Sequence, residues 1–511
     1  MIDTSLAVLQ NGADIRGVAT DGIIGENVTL TTDKVVKIGV GFVLWLRNKF
    51  KPTQEKPRLR VAIGMDARLT GPAFAEALQK SISSVGADAL SCGLATTPAM
   101  LFCTLHSELD IDGAIMLTGS HLSFNKNGMK FFHDGTELDK EQLTEILEIA
   151  SSTKNVPAQE HGEIHIFNLL SFYSNTLRDK IRQDLKDVAD DPAKPLIGLK
   201  IVVDAGNGSG GFFAKKVLEP LGADTSGSQF LTPDGRFPNH SPNPEDYEAM
   251  RSISTAVLLA GADMGVVFDA DVDRVAIVDD EGRAINRNEF VAMAAAITLE
   301  EHPATSIVTD SITSNGLTRF VQDILGGHQC RFQRGYRNVI GEAIRRDNAG
   351  MPTWLAVETS GHAAFKENNF CDDGAYFATK VIIRLTKLKH EGKKLFTLID
   401  RLPVPTESKE FRLTILNDDF TRAAARILDG LRQYVAQIDD WEEVNQNHDG
   451  LRVICNSPKE QGWFLFRLSL HSPVMPLNVE SDVKGGSNAI IDKLKMFFRN
   501  VRSIDSSTLY N

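Results

Sequence analysis

Short apolar runs that end near an aspartate recur along this chain, and each is followed by a loop of small residues and then by helical patterning. Arg60-Val61-Ala62-Ile63-Gly64 leads into Asp66-Ala67-Arg68-Leu69-Thr70-Gly71. Lys200-Ile201-Val202-Val203-Asp204 leads into Ala205-Gly206-Asn207-Gly208-Ser209-Gly210, and Ser306-Ile307-Val308-Thr309-Asp310 into Ser311-Ile312-Thr313-Ser314-Asn315-Gly316. The runs read as strands, and helices are expected from Pro72, Phe212 and Leu317, each stopping at a glycine (Gly86, Gly222, Gly326). Part of this likeness is the general grammar of strand, loop and helix. The common offsets nevertheless predict three homologous α/β units beginning near residues 60, 199 and 305.

Around these units the pattern predicts a helix over 32–48, and a second over 168–188 leading into the polar link Asp190-Asp191-Pro192-Ala193-Lys194-Pro195. Beyond Pro405 the order changes: strand 410–416, helix 420–438, strands 450–456 and 463–469, and helix 488–501. The expected fold class is α/β, with three homologous domains of mixed sheet followed by a smaller α+β domain. The expected divisions are 1–165, 166–302, 303–406 and 407–511.

Composition fits that picture. A chain of 511 residues, 42% hydrophobic and 24% charged, has ample apolar material for several cores. The net charge of -12 argues against nucleic acid as a main partner, because phosphate backbones are bound by basic faces. The dispersed cysteines (Cys92, Cys103, Cys330, Cys371, Cys455) form no C-x-x-C pair, so neither a disulfide framework nor a zinc site is expected. No run approaches the length of a membrane helix, and the first residues lack a basic, apolar leader pattern.

Candidate chemistry gathers at strand ends, where loops on a rigid sheet can present side chains. Ala114-Ile115-Met116-Leu117 delivers Thr118-Gly119-Ser120-His121 to a loop, and Lys130 follows on a second apolar run, so hydroxyl, imidazole and amine lie close in sequence. A polar surface turn would use the same residue types. Phe268-Asp269-Ala270-Asp271-Val272-Asp273-Arg274 sets three carboxylates at alternate positions between apolar runs. Such mutual repulsion calls for a cation, and hard oxygen ligands point to Mg²⁺ or Ca²⁺. An EF-hand is excluded because the sixth position is Arg274 and the twelfth Asp280. An acidic hairpin turn is the competing reading.

Gly206-Asn207-Gly208-Ser209-Gly210-Gly211 satisfies G-x-G-x-x-G, but the sister units lack these glycines, which favours a tight structural turn over a dinucleotide site. Glu358-Thr359-Ser360-Gly361-His362 ends another strand and offers groups for sugar hydroxyls, or simply caps. Arg467-Leu468-Ser469-Leu470-His471-Ser472-Pro473 combines a guanidinium with hydroxyls, as phosphate sites and ordinary turns both do.

In order, D-x-R-G at Asp14, T-G-S-H with N-G-x-K, D-A-D-x-D-R, E-x-S-G-H and R-x-S resemble the α-D-phosphohexomutases, the phosphoglucomutase/phosphomannomutase family, over nearly the whole chain. That resemblance implies four domains around a central cleft. It also implies Ser120 as the phosphorylated serine, Mg²⁺ at Asp269, Asp271, Asp273 and the phosphorylated Ser120, and a reaction centre of Arg16, His121, Lys130 and Arg274. Glu358, Ser360, His362 and Arg337 would hold the sugar, and Arg467 and Ser469 the non-transferring phosphate. The implied activity interconverts hexose 1-phosphate and hexose 6-phosphate, of glucose or mannose, through a hexose 1,6-bisphosphate that also serves as activator.

Departures from the family pattern bear on substrate choice. Leu122 and Ser123 replace the usual Asn-Pro, His471 and Ser472 replace Thr-Glu, Asn478 replaces an Arg, and Arg337 stands where Lys is common. The readings kept beside the mutase are phosphoglucosamine mutase, a non-catalytic sugar-phosphate-binding regulator, and a sugar-bisphosphate synthase or phosphatase. Expected partners are hexose phosphates, with neither nucleic acid nor membrane, and a monomer or weak homodimer. The expected compartment is the cytoplasm, or a plastid had a transit peptide been removed.

Overall fold

A computed structural model describes residues 2–49, 56–153, 161–445, 447–469 and 472–510. Contacts group the chain into two units, one of residues 1–286 with 360–396, the other of residues 287–359 with 397–511. Among the described residues no helix is long and apolar enough to cross a membrane.

The first unit carries two sheets. In the larger, Arg60–Met65 pairs in parallel with Asp88–Leu94 and Gly113–Leu117, and Lys126–His133 returns antiparallel to Gly113–Leu117. Asp14–Val18 extends this sheet beside Lys126–His133, and Ile164–Ile166 extends it beside Asp88–Leu94. Gly113–Leu117 is buried along its whole length, as an uninterrupted apolar run in a covered parallel strand should be. Helices Thr32–Lys49, Gly71–Ser84 and Lys140–Ser152 supply Phe42, Leu46, Leu78, Ile82 and Ile146 to the core that closes over Ile115 and Phe131.

The second sheet repeats the plan with a variation. Ile201–Asp204 pairs in parallel with Met264–Phe268, which pairs antiparallel with Val275–Asp279. The strand that would answer Asp88–Leu94 is reduced to the isolated bridges Lys200 to Asp224 and Asp204 to Gln229. The polar stretch Asp224-Thr225-Ser226-Gly227-Ser228 has no apolar face to sustain a strand. The helix expected from Phe212 is a π-helical turn, Phe213–Leu218, followed by a 3-10 turn, Glu219–Leu221, where Pro220 has no N–H with which to continue an α-helix. Helix Gly374–His390 is capped by Asp373, which accepts from Tyr376 N at 2.9 Å and from the Tyr173 hydroxyl at 2.6 Å.

In the second unit Ser306–Asp310 lies between His328–Phe332 and Thr353–Val357, all parallel. The helix expected from Leu317 is split into an α-turn, Asn315–Arg319, and a π-turn, Phe320–Ile324. A six-stranded sheet includes Leu451–Cys455, Gly462–Phe466, Val474–Ser481 and Glu407–Ile415, all paired antiparallel in that order. Phe420–Val435 and Gly486–Phe498 cover it, with Leu431, Phe464, Phe466, Leu494 and Phe498 in its core.

Candidate functional site

The tip of the hairpin between Gly113–Leu117 and Lys126–His133 carries Ser120, buried and held in the left-handed region at φ 49°. That conformation is costly for a residue with a Cβ and persists only where the surroundings enforce it. Arg68 is the enforcing group. Only 1% exposed, it donates Nη2 to the carbonyls of Ser120 (2.6 Å) and Leu122 (2.7 Å), and Nη1 to those of Ser123 (2.7 Å) and Lys126 (2.6 Å). Its Nε meets Asp66 Oδ2 at 3.1 Å, so the planar fork is fully engaged. Asp66 also accepts from the Thr118 hydroxyl (2.8 Å), whose oxygen accepts Ser120 N–H at 2.7 Å. A Cβ on Gly119 would stand 2.4 Å from the Arg68 guanidinium carbon, so only glycine lets the loop close over this side chain.

The equivalent hairpin of the second sheet, between Met264–Phe268 and Val275–Asp279, carries the three aspartates. Asp269, Asp271 and Asp273 are all buried and can bring carboxylate oxygens within 4.8 Å of one another. Val272 between them sits at φ 67°, a strained place for a β-branched residue. Ser120 Oγ lies 3.4 Å from Asp269 Oδ2 and 3.3 Å from His121 Nδ1, so the two hairpin tips meet.

The carboxylates are not left wholly to themselves. Lys130 reaches Asp273 at 2.5 Å and Asp271 at 3.6 Å, and Thr97 donates its hydroxyl to Asp271 Oδ2 at 2.6 Å. Yet Asp271 Oδ1 and Asp273 Oδ1 are buried without a hydrogen-bond partner. Burial, reinforced by Asp273 and Asp271, pushes the Asp269 carboxyl well above its ordinary range. At Asp273 burial acts in the same sense but is outweighed by Lys130, His362 and Arg274, which hold it far below. Orphaned buried oxygens in an all-carboxylate set fit a hard divalent cation.

Cations and a neutral base surround the serine. Arg16 pairs with Asp14 at 2.8 Å and donates to the Thr118 carbonyl. Half-buried Arg274 pairs with Glu245 at 3.7 Å, and its Nε has no acceptor. Burial, then Arg274 and Arg16, push the His121 imidazole down to about 3, leaving it neutral. His362 Nδ1 is held by Asp372 Oδ2 at 2.5 Å, and Ser360 is buried two residues before it.

The boundary between the units falls after Thr359, so Glu358 belongs to the second. There Glu358 accepts the Gly335 N–H at 2.6 Å, and Gly335 takes φ 113°, which fixes the turn before Tyr336 and Arg337. Arg337 Nε lies 3.1 Å from the Tyr336 hydroxyl. Asp449 accepts from the Ser311 hydroxyl (2.6 Å) and from Arg334 N (3.4 Å), and faces Arg467 at 3.8 Å. Ser469 meets the Ser472 hydroxyl at 3.1 Å, and His471 lies outside the described residues. Asn478 reaches Glu410 at 3.4 Å on the sheet.

The sequence-named groups thus fall into two sets. Arg16, Ser120, His121, Lys130, the aspartates, Arg274, Ser360 and His362 lie in the first unit, and Arg337, Glu358, Arg467 and Ser469 in the second. Arg68, Thr97, Asp372 and Asp449 were not singled out from sequence. The glycine-rich turn at Gly206 proves structural: a Cβ on Gly208 would lie 2.7 Å from the Ala270 backbone, and Ser209 N–H is spent on the Ala270 carbonyl at 2.9 Å.

Profiles of phosphoglucomutase/phosphomannomutase alpha/beta/alpha domains I, II and III match residues 11–157, 177–282 and 286–405. Phosphomannomutase/phosphoglucomutase of Pseudomonas aeruginosa is 29% identical over 497 residues, 97% of this chain and 95% of that protein. Phosphomannomutase of Salmonella montevideo is 31% identical over 477 residues, covering 92% of this chain and 93% of that one. A crystal structure of a phosphoglucomutase/phosphomannomutase family protein from Burkholderia thailandensis superposes with a TM-score of 0.77 at 26% identity, covering 98% of each chain.

Proposed function

The chain belongs to the phosphoglucomutase/phosphomannomutase family, and on that premise we propose that it is a phosphohexomutase moving a phosphoryl group between C1 and C6 of glucose, mannose or both. The observation that carries the reading is the approach of Ser120 Oγ to Asp269 within 3.4 Å, beside two buried, unpartnered carboxylate oxygens.

In this reading Ser120 enters the cycle phosphorylated. A free hydroxyl of the hexose phosphate attacks the phosphorus, the bond from phosphorus to Ser120 Oγ breaks, and the hydroxyl proton is relayed by His121 or Lys130 to the departing Ser120 oxygen. The product is hexose 1,6-bisphosphate and unmodified serine. After the bisphosphate turns over, Ser120 takes back the other phosphoryl group and the proton returns to the sugar oxygen. A divalent cation, Mg²⁺ by the chemistry of its ligands, would be held by Asp269, Asp271, Asp273 and the Ser120 phosphate, and would supply positive charge against the transferring group. Arg16 and Arg274 add fixed positive charge at the same place. Arg68 sets the loop that aims the serine. Glu358, Ser360, His362 and Arg337 are the proposed sugar ligands, and Arg467 and Ser469 the proposed ligands of the phosphate that stays.

The test is turnover of glucose 1-phosphate and mannose 1-phosphate with Mg²⁺ and a trace of the matching bisphosphate, beside intact-mass analysis. One phosphate mapped to Ser120 together with isomerisation supports the proposal. No isomerisation of any hexose phosphate would leave a binding protein. Net release of bisphosphate or inorganic phosphate would make it a synthase or phosphatase.

A further inference from the structure

In the second unit a cavity of about 210 Å³ opens beside strand His328–Phe332. Arg331, Arg346, Arg452 and His448 line it together with Gln322 and Asn447, and no carboxylate is among its described lining residues. For a chain of net charge -12, that is a local inversion of sign. Arg467 and Ser469 are not part of this lining, so the hollow is separate from the proposed substrate-phosphate groups.

Two of these guanidiniums are poorly matched by the protein. Arg452 is 3% exposed, stacks on Trp463 with its guanidinium carbon 3.6 Å from the ring centre, and donates only to neutral acceptors, the carbonyls of Ser311 and Thr313 and the Asn315 side chain. Arg331 likewise donates to Thr313, the Ser314 carbonyl and Thr318. Among the described residues neither makes an ion pair; Glu480 and Asp310 act on both only through space. Burial pushes the Arg331 guanidinium down to about 10 and that of Arg452 well below its usual range, with Arg331 adding repulsion at Arg452. Arg452 Nε and Arg346 Nε are buried donors with no acceptor. Like charges gathered this closely, with counter-charge only at a distance, are expensive, and unmet donors raise the cost further.

We propose that this cavity is a second anion site, built to take a phosphate group, either free or as the ester of a small metabolite. Several forked donors around a small hollow suit a tetrahedral, multiply charged oxyanion better than a single carboxylate. The guanidiniums already brace the loop 311–315, so an anion would complete the site without rearranging it.

Calorimetric titration of the full chain with inorganic phosphate, in the wild type and in Arg346→Gln, Arg331→Gln and Arg467→Gln, tests this. Wild type should show a class of site that Arg467→Gln keeps and that Arg346→Gln weakens about tenfold or more, as loss of one charged hydrogen bond implies. Arg346 is half-buried on its helix and paired with Glu342 at 3.9 Å, so its variant should remain folded even where Arg331→Gln does not. Tighter binding of phenyl phosphate than of phosphate at this site would assign it to an ester, and equal binding to the free ion. Phosphate binding unchanged in Arg346→Gln, or abolished by Arg467→Gln, overturns the proposal.

Discussion

Replacing Arg68 by lysine keeps the buried positive charge opposite Asp66 but takes away the fork. The guanidinium makes contacts from Nε to Asp66 and from Nη1 and Nη2 to the carbonyls of Ser120, Leu122, Ser123 and Lys126. An ammonium has three donors, so at least two of these five contacts are lost. At about 1.5–3 kcal/mol for a hydrogen bond to a charged group, the deficit is on the order of 3–6 kcal/mol, shared between lower stability and a relaxed serine loop. A displacement of Ser120 Oγ by about 1 Å is enough for a rate loss of about a hundredfold. Arg68→Lys should therefore lower kcat by that order while KM for the hexose phosphate stays within a few-fold, because none of the proposed sugar ligands touches Arg68. Arg68→Met should be worse and should also melt earlier, since it strands Asp66 as an unpaired buried carboxyl, a loss of about 3–5 kcal/mol. Steady-state kinetics and thermal melts on both variants measure this. Wild-type kcat in a folded Arg68→Lys enzyme would refute the positioning role.

Other tests address the remaining groups. Ser120→Ala should lose turnover and the protein-bound phosphate with no change in melting beyond a degree or so, read by coupled assay, intact mass and calorimetry. Thr97→Val removes the hydroxyl that orients Asp271 and should weaken Mg²⁺ activation about 10- to 100-fold in a metal titration, with the unliganded fold retained. Glu480, pushed up to about 7 chiefly by burial from an ordinary 4.5, binds more protons folded than unfolded across that interval. Stability should thus fall as pH rises from about 4.5 to about 7, and Glu480→Gln should flatten that slope in melts taken between pH 5 and 8.

The strands and helices that a period of two or of three to four could announce were legible. Gly113–Leu117, Met264–Phe268 and Ser306–Asp310 are buried at every position, which is why continuous apolar runs foretold them. Val474–Ser481 was not, because Pro476 interrupts it, although the strand's place between Gly462–Phe466 and Glu407–Ile415 is secured by the residues on either side. The π-turns Phe213–Leu218 and Phe320–Ile324 carry the same apolar spacing as an α-helix and have no signature of their own.

The candidate site divides the same way. Ser120 and the aspartates announce themselves by chemical type, since hydroxyls and repeated carboxylates at strand ends ask for a use. Arg68 does not: a lone arginine in a turn reads as a surface cation, and its meaning lies in carbonyls more than fifty residues further along the chain. What pattern cannot convey is that Ser120 and Val272 occupy the same topological position in successive repeats, each at a hairpin tip and each forced to positive φ. Two strained tips from sister sheets, pressed together until serine oxygen and carboxylate are 3.4 Å apart, bring the proposed reacting hydroxyl and the proposed cation-binding groups in from opposite sides. Neither tip would hold that shape alone. Arg68 supports one, and the other is supported by the Val272 carbonyl accepting Gly374 N–H at 3.1 Å, where a Cβ would stand 2.8 Å from the Arg274 carbonyl. It follows that Gly374→Ala, remote in sequence from every proposed catalytic residue, should raise the Mg²⁺ requirement by displacing the aspartate loop, and that a variant with unaltered metal activation would break this account of how the two tips are held.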